Sequence, residues 1–211
     1  MFVNHCHVFP KKSDSPGELG IIGTLDKLVD TMKKCRINKA VAFAPFEEQG
    51  WTQSIKRDAN DWLAEELPSY HEIVGFACIN PKSPKSLEKL EKAWRKGLLG
   101  VKLHPPIQEF RPNDEKIFEF YLKAQELGMI LDFHTGTHGW RLLEYQPLLI
   151  DDVAYAFPKL NIVIEHVGGR YFYNQAMALM ADKKNVYAGI SSCLDEKANK
   201  SWFLGAEKIE E

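Results

Sequence analysis

The sequence lacks the features that mark several large protein classes. No apolar run approaches the roughly 20 residues needed to cross a bilayer, and the opening stretch, MFVNHCHVFP, has neither the basic nor the apolar segment of a secretory signal. A membrane partner and export are therefore not expected, and a cytoplasmic location is. Charge of one sign is missing as well: 27 Lys and Arg stand against 29 Asp and Glu, a formal charge of −2. Without an overall basic field, and with few Lys or Arg clustered at strand ends, nucleic acid is not an expected partner. Cysteine is scarce. Cys6, Cys35, Cys78 and Cys193 are the only four, and no Cys-x-x-Cys spacing supports a zinc knuckle or a dithiol redox pair. The first strand candidate is not followed by Gly-x-Gly-x-x-Gly, which removes the main support for a dinucleotide-binding open sheet. Linkers, low-complexity segments and sequence repeats are absent too.

What is present is an ordinary globular composition, 45% hydrophobic and 27% charged over 211 residues. That length suits a single domain spanning 1–211, with a sizeable core that needs no disulfides. Seven short β-rich runs recur along it: FVNHCHV (2–8), AVAFAPF (40–46), IVGFACIN (73–80), GVKLHPP (100–106), MILDFHTG (129–136), NIVIEHVGG (161–169) and NVYAGIS (185–191). Most are continuous apolar runs rather than alternations, as parallel strands covered on both faces require. Helical patterns separate them. Thr24 is placed to cap a helix with Leu25, Leu28, Val29 and Met32 on one stripe. Asn113 is placed to cap another that carries Ile117, Phe118 and Tyr121 inward and ends at Gly128. Alternating strands and helices imply βαβ units, in either an open doubly wound sheet or a closed (β/α) barrel.

Five of the seven histidines fall at or near the C-terminal ends of these runs: His5, His7, His104, His134 and His166. In a parallel barrel, catalytic groups gather at those ends. His5 and His7 share strand parity, so their rings can meet one metal ion. A His-x-His pair arises by chance in about one in four chains of this histidine content, so the strand-end placement of the whole set carries more weight than the pair. Lys102 and His104 also share parity, facing the interior, where both are candidates for contacting substrate. His138 and Arg141 after the fifth run, and Arg170 after the Gly168-Gly169 turn, are candidates for binding a substrate carboxylate.

The phrases NHCHVFP, INKAVAFAP, GLLGVKLHP, LDFHTG, FPKLNIVIEHVGG and NVYAGISS, in this order, resemble the amidohydrolase superfamily. The resemblance is to its amidohydrolase-2 branch, which includes aminocarboxymuconate-semialdehyde decarboxylase-like enzymes. It implies an α/β fold, a TIM-type (β/α)8 barrel with seven βα units visible and the last strand missing or truncated. It further implies His5, His7 and His134 as metal ligands and His166 as a catalytic group that polarises substrate or transfers a proton. Zn2+ is the expected ion, with Mn2+, Fe2+ and Co2+ compatible with the same ligand types. The leading function is a metal-dependent hydrolase acting on a small carbonyl or carboxylate compound. A non-oxidative decarboxylase using the same site is the enzymatic rival, and a catalytically silent barrel with a binding role is the alternative from another class.

Two departures from the family pattern stand out. The family begins Asp-x-His-x-His, but Val3 precedes His5 by two positions. The strand-eight aspartate that completes the family's metal site is also missing, because WFLGAEKI (202–209) runs directly into Glu210 and Glu211. The expectation is that the natural reading frame continues past Glu211 into a strand bearing Asp. A homodimer partner covering the gap and a catalytically impaired short form are the alternatives.

Overall fold

The computed structural model describes residues 1–11, 23–49, 57–137 and 141–191. The chain divides into two compact units, Met1–Lys102 and Leu103–Glu211. The first unit contains β1 (Phe2–His7), α1 (Leu25–Lys34), β2 (Lys39–Phe43), α2 (Ala59–Glu66), β3 (Ile73–Cys78), α3 (Ser86–Arg95) and β4 (Gly100–Leu103), whose last residue is the boundary. The second contains α4 (Phe118–Glu126), β5 (Ile130–His134), α5 (Asp151–Ala156), β6 (Ile162–Glu165), α6 (Gly169–Asp182) and β7 (Val186–Gly189). Within the first unit β1 pairs with β2, β2 with β3 and β3 with β4, and within the second β5 pairs with β6 and β6 with β7, all parallel.

Each of the seven expected runs holds a strand, and each strand stops before its run does. The surplus residues at the C-terminal ends, such as Ala44 to Phe46 and His104 to Pro106, are buried but lie beyond the strands. They form the loops in which ligand-binding groups of parallel βα folds lie. Apolar residues continue past the strands because these loops pack inward, and a hydrophobicity pattern cannot tell a strand from a buried loop.

The first helix forms as its sequence dictates. Thr24 Oγ1 accepts a hydrogen bond from the Lys27 amide at 3.3 Å, and Asp26 and Lys33–Lys34 complement the dipole at the two ends. Leu25 and Met32 are buried, with Leu28 and Val29 half-buried beside them. At the fourth helix the cap moves by one residue. Asp114, not Asn113, accepts from the Lys116 amide at 3.1 Å and opens a 3-10 turn, Glu115–Ile117, ahead of α4. The Asn113 amide donates to Asp152 instead, so tertiary contact overrides local capping. Gly128 takes φ +67° and ends the helix.

One side chain of α2 closes the end of β3. The Asn60 amide accepts from the Cys78 N–H at 2.7 Å and donates to the Cys78 carbonyl at 3.1 Å, both buried. It thus satisfies the backbone as a neighbouring strand would. Asn60→Ala is expected to orphan both groups at a cost of about 1–3 kcal/mol each. The check is a lower urea midpoint at unchanged m value, with Asn60→Asp, which keeps only the acceptor, falling between. No helix among the described residues is long and apolar enough to cross a membrane.

Candidate metal centre

In the first unit the histidine pair sits on an irregular strand. The pairing of β1 with β2 shifts register between Val3 and Cys6, so three steps on β1 match two on β2. A bulge of this kind re-aims side chains and is frequent beside functional sites. His5 lies within it and His7 just after it, and their Nε2 atoms stand 3.1 Å apart. Two imidazole nitrogens each about 2.0–2.1 Å from one tetrahedral ion would be separated by about 3.3 Å, so the pair fits two ligands of a single metal. Phe43, fully buried on β2, presents its ring to both, with centroids 4.9 Å from His5 and 5.3 Å from His7. Lys102 is fully buried as well, and its ammonium lies 5.0 Å from the centroid of the same ring. A desolvated cation over an aromatic face gains about 2 kcal/mol, which offsets part of the burial.

In the second unit three more histidines converge. His104, one residue beyond β4, stacks on His134 at 3.9 Å with the rings 15° from parallel. His134, the last residue of β5, meets His166 edge-on at 4.8 Å. Tyr145 packs against His104 and His134. Hydrogen-bond partners assign the ring protons. His134 Nε2 donates to the Gly136 carbonyl at 3.2 Å, which leaves the lone pair on Nδ1. His166 Nδ1 donates to the Ser191 carbonyl at 2.9 Å, which leaves the lone pair on Nε2.

His166 does not lie on strand six, as the sequence pattern suggests, but in the turn directly after it. His166 and Val167 both adopt left-handed backbone, φ +62° and +46°, followed by Gly168 and Gly169 at +76° and +57°. Left-handed geometry is costly for a β-branched residue and persists only where the surroundings enforce it. Thr135 is one enforcer: its hydroxyl donates to the Glu165 carbonyl and accepts from the Gly168 amide, clamping the turn to the end of β5. Close packing is the other, because a Cβ at Gly169 would lie 2.6 Å from Gly136 Cα. The phrases HTG and HVGG therefore serve one contact.

The other sequence candidates divide. Arg141 is exposed and shares Glu144 with Arg111, at 3.8 and 3.5 Å. All three line a cleft of about 410 Å³ with Pro105, Pro106 and Glu109, in the loops that follow β4 and β5. Arg170 lies in the first turn of α6. His138 lies outside the described residues, as do Cys193, the 202–209 phrase and Glu210–Glu211. His71 is exposed in the turn that precedes β3, at the N-terminal end of that strand. Three residues of the second unit escape sequence reasoning. Glu165 is buried at the end of β6, Ser191 Oγ donates to Glu165 Oε2 at 2.8 Å, and Gly189 leaves room for that carboxylate. A charged residue closing the apolar run IVIE was the available signal.

Seven parallel strands in chain order, the first six each followed by a helix, with histidines at or just past the ends of β1, β4, β5 and β6, form a TIM-type (β/α) fold; no eighth strand occurs among the described residues. The chain belongs to the amidohydrolase family, whose Amidohydro_2 profile matches residues 5–210. It is 32% identical over 116 residues to a dihydroorotase of Helicobacter pylori, a match covering 50% of this chain and 33% of that protein. Another dihydroorotase, of Helicobacter hepaticus, is 34% identical over 80 residues, covering 36% of this chain and 22% of the relative. The matches thus span about a third or less of these relatives' length. Among solved structures, a TIM-barrel protein from Bordetella bronchiseptica aligns with TM-score 0.69 at 15% identity, covering 89% of this chain and 74% of the other. A Staphylococcus aureus protein described as an amidohydrolase aligns with TM-score 0.65 at 15% identity, covering 96% and 83%. These likenesses carry the fold.

Proposed function

We propose that this protein is a metal-dependent hydrolase of the amidohydrolase type, acting on a small cyclic amide, ester or related carbonyl compound. The observation that carries the reading is the His5 and His7 pair, with Nε2 atoms 3.1 Å apart at the end of β1, in a chain of a family whose members are generally metal-dependent. His5 and His7, with His134 from β5, would hold the divalent ion, Zn2+ by ligand type. When bound, such an ion polarises a carbonyl and acidifies a water towards neutral pH. His166, with its lone pair on Nε2, is the proton-transfer group. Lys102, held against Phe43, and His104, stacked on His134, fix the surrounding polarity. Arg141, Arg170 and His138 are the groups for a substrate carboxylate. The dihydroorotase relatives favour a cyclic amide bearing a carboxylate.

The test is turnover by zinc-loaded protein on dihydroorotate, simple lactones, cyclic amides and aromatic acids. Ring opening with loss of activity in His166→Gln supports the hydrolase. Carbon dioxide release from an acid would replace it with a decarboxylase. Full metal loading without turnover on any of these compounds would leave a silent binding protein.

A further inference from the structure

The loops after β4 and β5 gather charge around one cleft of the second unit. Arg111 Nε lies 3.5 Å from Glu144 Oε2, and Arg141 Nη2 lies 3.8 Å from Glu144 Oε1. Both are ion contacts without a hydrogen bond, and Oε2 is buried with no hydrogen-bond partner among the described residues. One carboxylate thus stands between two guanidiniums and leaves one positive charge over. Exposure decides which sign a ligand meets. The Glu144 side chain is 13% exposed, whereas those of Arg111 and Arg141 are 49% and 83% exposed, so the carboxylate is withdrawn and the arginines are presented.

The rest of the cleft, of about 410 Å³, is largely apolar and held in shape. Pro105, Pro106 and Phe110 are buried in a loop that closes on itself, where the Gln108 and Phe110 amides donate to the His104 and Pro105 carbonyls at 2.9 and 3.0 Å. Leu143 completes the apolar lining from the other loop. Glu109 also lines the cleft and is exposed, with left-handed backbone at φ +54°, so a ligand of high negative charge is repelled. The cleft adjoins the strand-end histidines, because Pro105 follows His104 and Glu144 precedes Tyr145, whose ring packs against His104 and His134.

We propose that this cleft is a binding site for a monocarboxylate with an apolar body. Arg141 donates to the carboxylate through two N–H groups, as the guanidinium fork allows, and Arg111 places a second positive charge beside it. Glu144 is a positioning residue, the counter-ion that holds two like charges side by side. Pro105, Pro106, Phe110 and Leu143 wall the apolar body. A neutral ligand forgoes the guanidinium, and a phosphate-like dianion meets Glu109 and Glu144 as well as the arginines. That the occupant is the substrate rests on the hydrolase reading; the binding preference does not.

The experiment is calorimetric titration of the full-length, zinc-loaded protein with 3-phenylpropionate, its amide, propionate and 2-phenylethyl phosphate, at about pH 8, where the phosphate is a dianion. 3-Phenylpropionate is expected to bind at least about tenfold more tightly than the amide, which lacks the charge, and than propionate, which lacks the apolar body. It should also bind more tightly than the phosphate. Arg141→Gln should bring acid and amide to equal affinity, and Arg141→Lys, which keeps the charge without the fork, should recover only part of the difference. Glu144→Gln, which removes one negative charge at nearly constant volume, should shift the preference towards the phosphate. Circular dichroism checks the fold of each variant. Absence of saturable acid binding, equal binding of acid and amide by the parent, or an undiminished acid preference in Arg141→Gln, as a zinc-bound carboxylate would give, overturns the proposal. So does an unchanged ratio of acid to phosphate binding in folded Glu144→Gln. The expected selectivity without turnover of any amide or ester built on such an acid removes only the hydrolase reading. Turnover indifferent to the carboxylate keeps that reading and overturns this one.

Discussion

Replacing His5 and His7 together by alanine is expected to lower zinc affinity by more than about 100-fold. Removal of a hydrogen-bonding partner outside the ligand set typically costs 10–100-fold, and here two ligands are deleted at once. The pair sits at the bulge in β1, His5 within it and His7 just after it, with its Nε2 atoms already spaced for one ion. Little reorganisation is needed on binding, and little can compensate when both are lost. The measurement is metal content after dialysis against a zinc buffer, with circular dichroism confirming the fold. His71→Ala is the control, because His71 is exposed in a turn. Stoichiometric zinc in the double variant would remove these residues from the site. His134→Ala should weaken binding in the same direction, since His134 is the third proposed ligand.

Phe43→Ala is expected to be the most destabilising change near the site, by about 3–5 kcal/mol for a fully buried phenylalanine. At 2–4 °C per kcal/mol for a chain of this size, the thermal midpoint should drop by about 6–20 °C. The mechanism is more than an empty volume. The ring packs against both imidazoles and beneath the Lys102 ammonium, so its removal frees the histidines to rotate and takes the aromatic face from a buried cation. Phe43→Leu separates the effects. It restores most of the volume and should recover most of the stability, yet leave zinc affinity reduced because the flat wall against His5 and His7 is gone. Differential scanning calorimetry and zinc titration of both variants check this. Equal affinity in Phe43→Leu and the parent would reduce Phe43 to a space filler.

The strands and the strand-end histidines were legible because parallel βα folds bury whole strands, leaving continuous apolar runs that end where chemistry begins. The cap at Thr24 was legible for a local reason: the hydroxyl and the amide it serves are three residues apart. What escaped depended on residues distant in sequence. The cap at α4 moved to Asp114 because Asp152 engages Asn113. The bulge in β1 is visible only in its register with β2. Glu165 read as the end of a strand, because its partners lie at Gly189 and Ser191 on the neighbouring strand and the loop after it. Likewise, the left-handed turn that moves His166 off β6 is held by Thr135, 31 positions earlier, a contact that strand patterning does not encode.

The backbone contact between Gly136 and Gly169 bears on how such a chain can diversify. Two loops that touch through main chain alone have no side chain to trim or enlarge at the point of contact, so neither position offers a graded route to a new shape. Any innovation in what the protein recognises must be housed elsewhere, and the exposed residues around the arginine-bearing cleft, Glu109, Arg111, Arg141 and Leu143, have that freedom. Deep mutational scanning for folded protein should find 136 and 169 intolerant of every replacement while these four exposed positions accept many. The turn that carries His166 would thus be a fixed hinge pin around which specificity drifts.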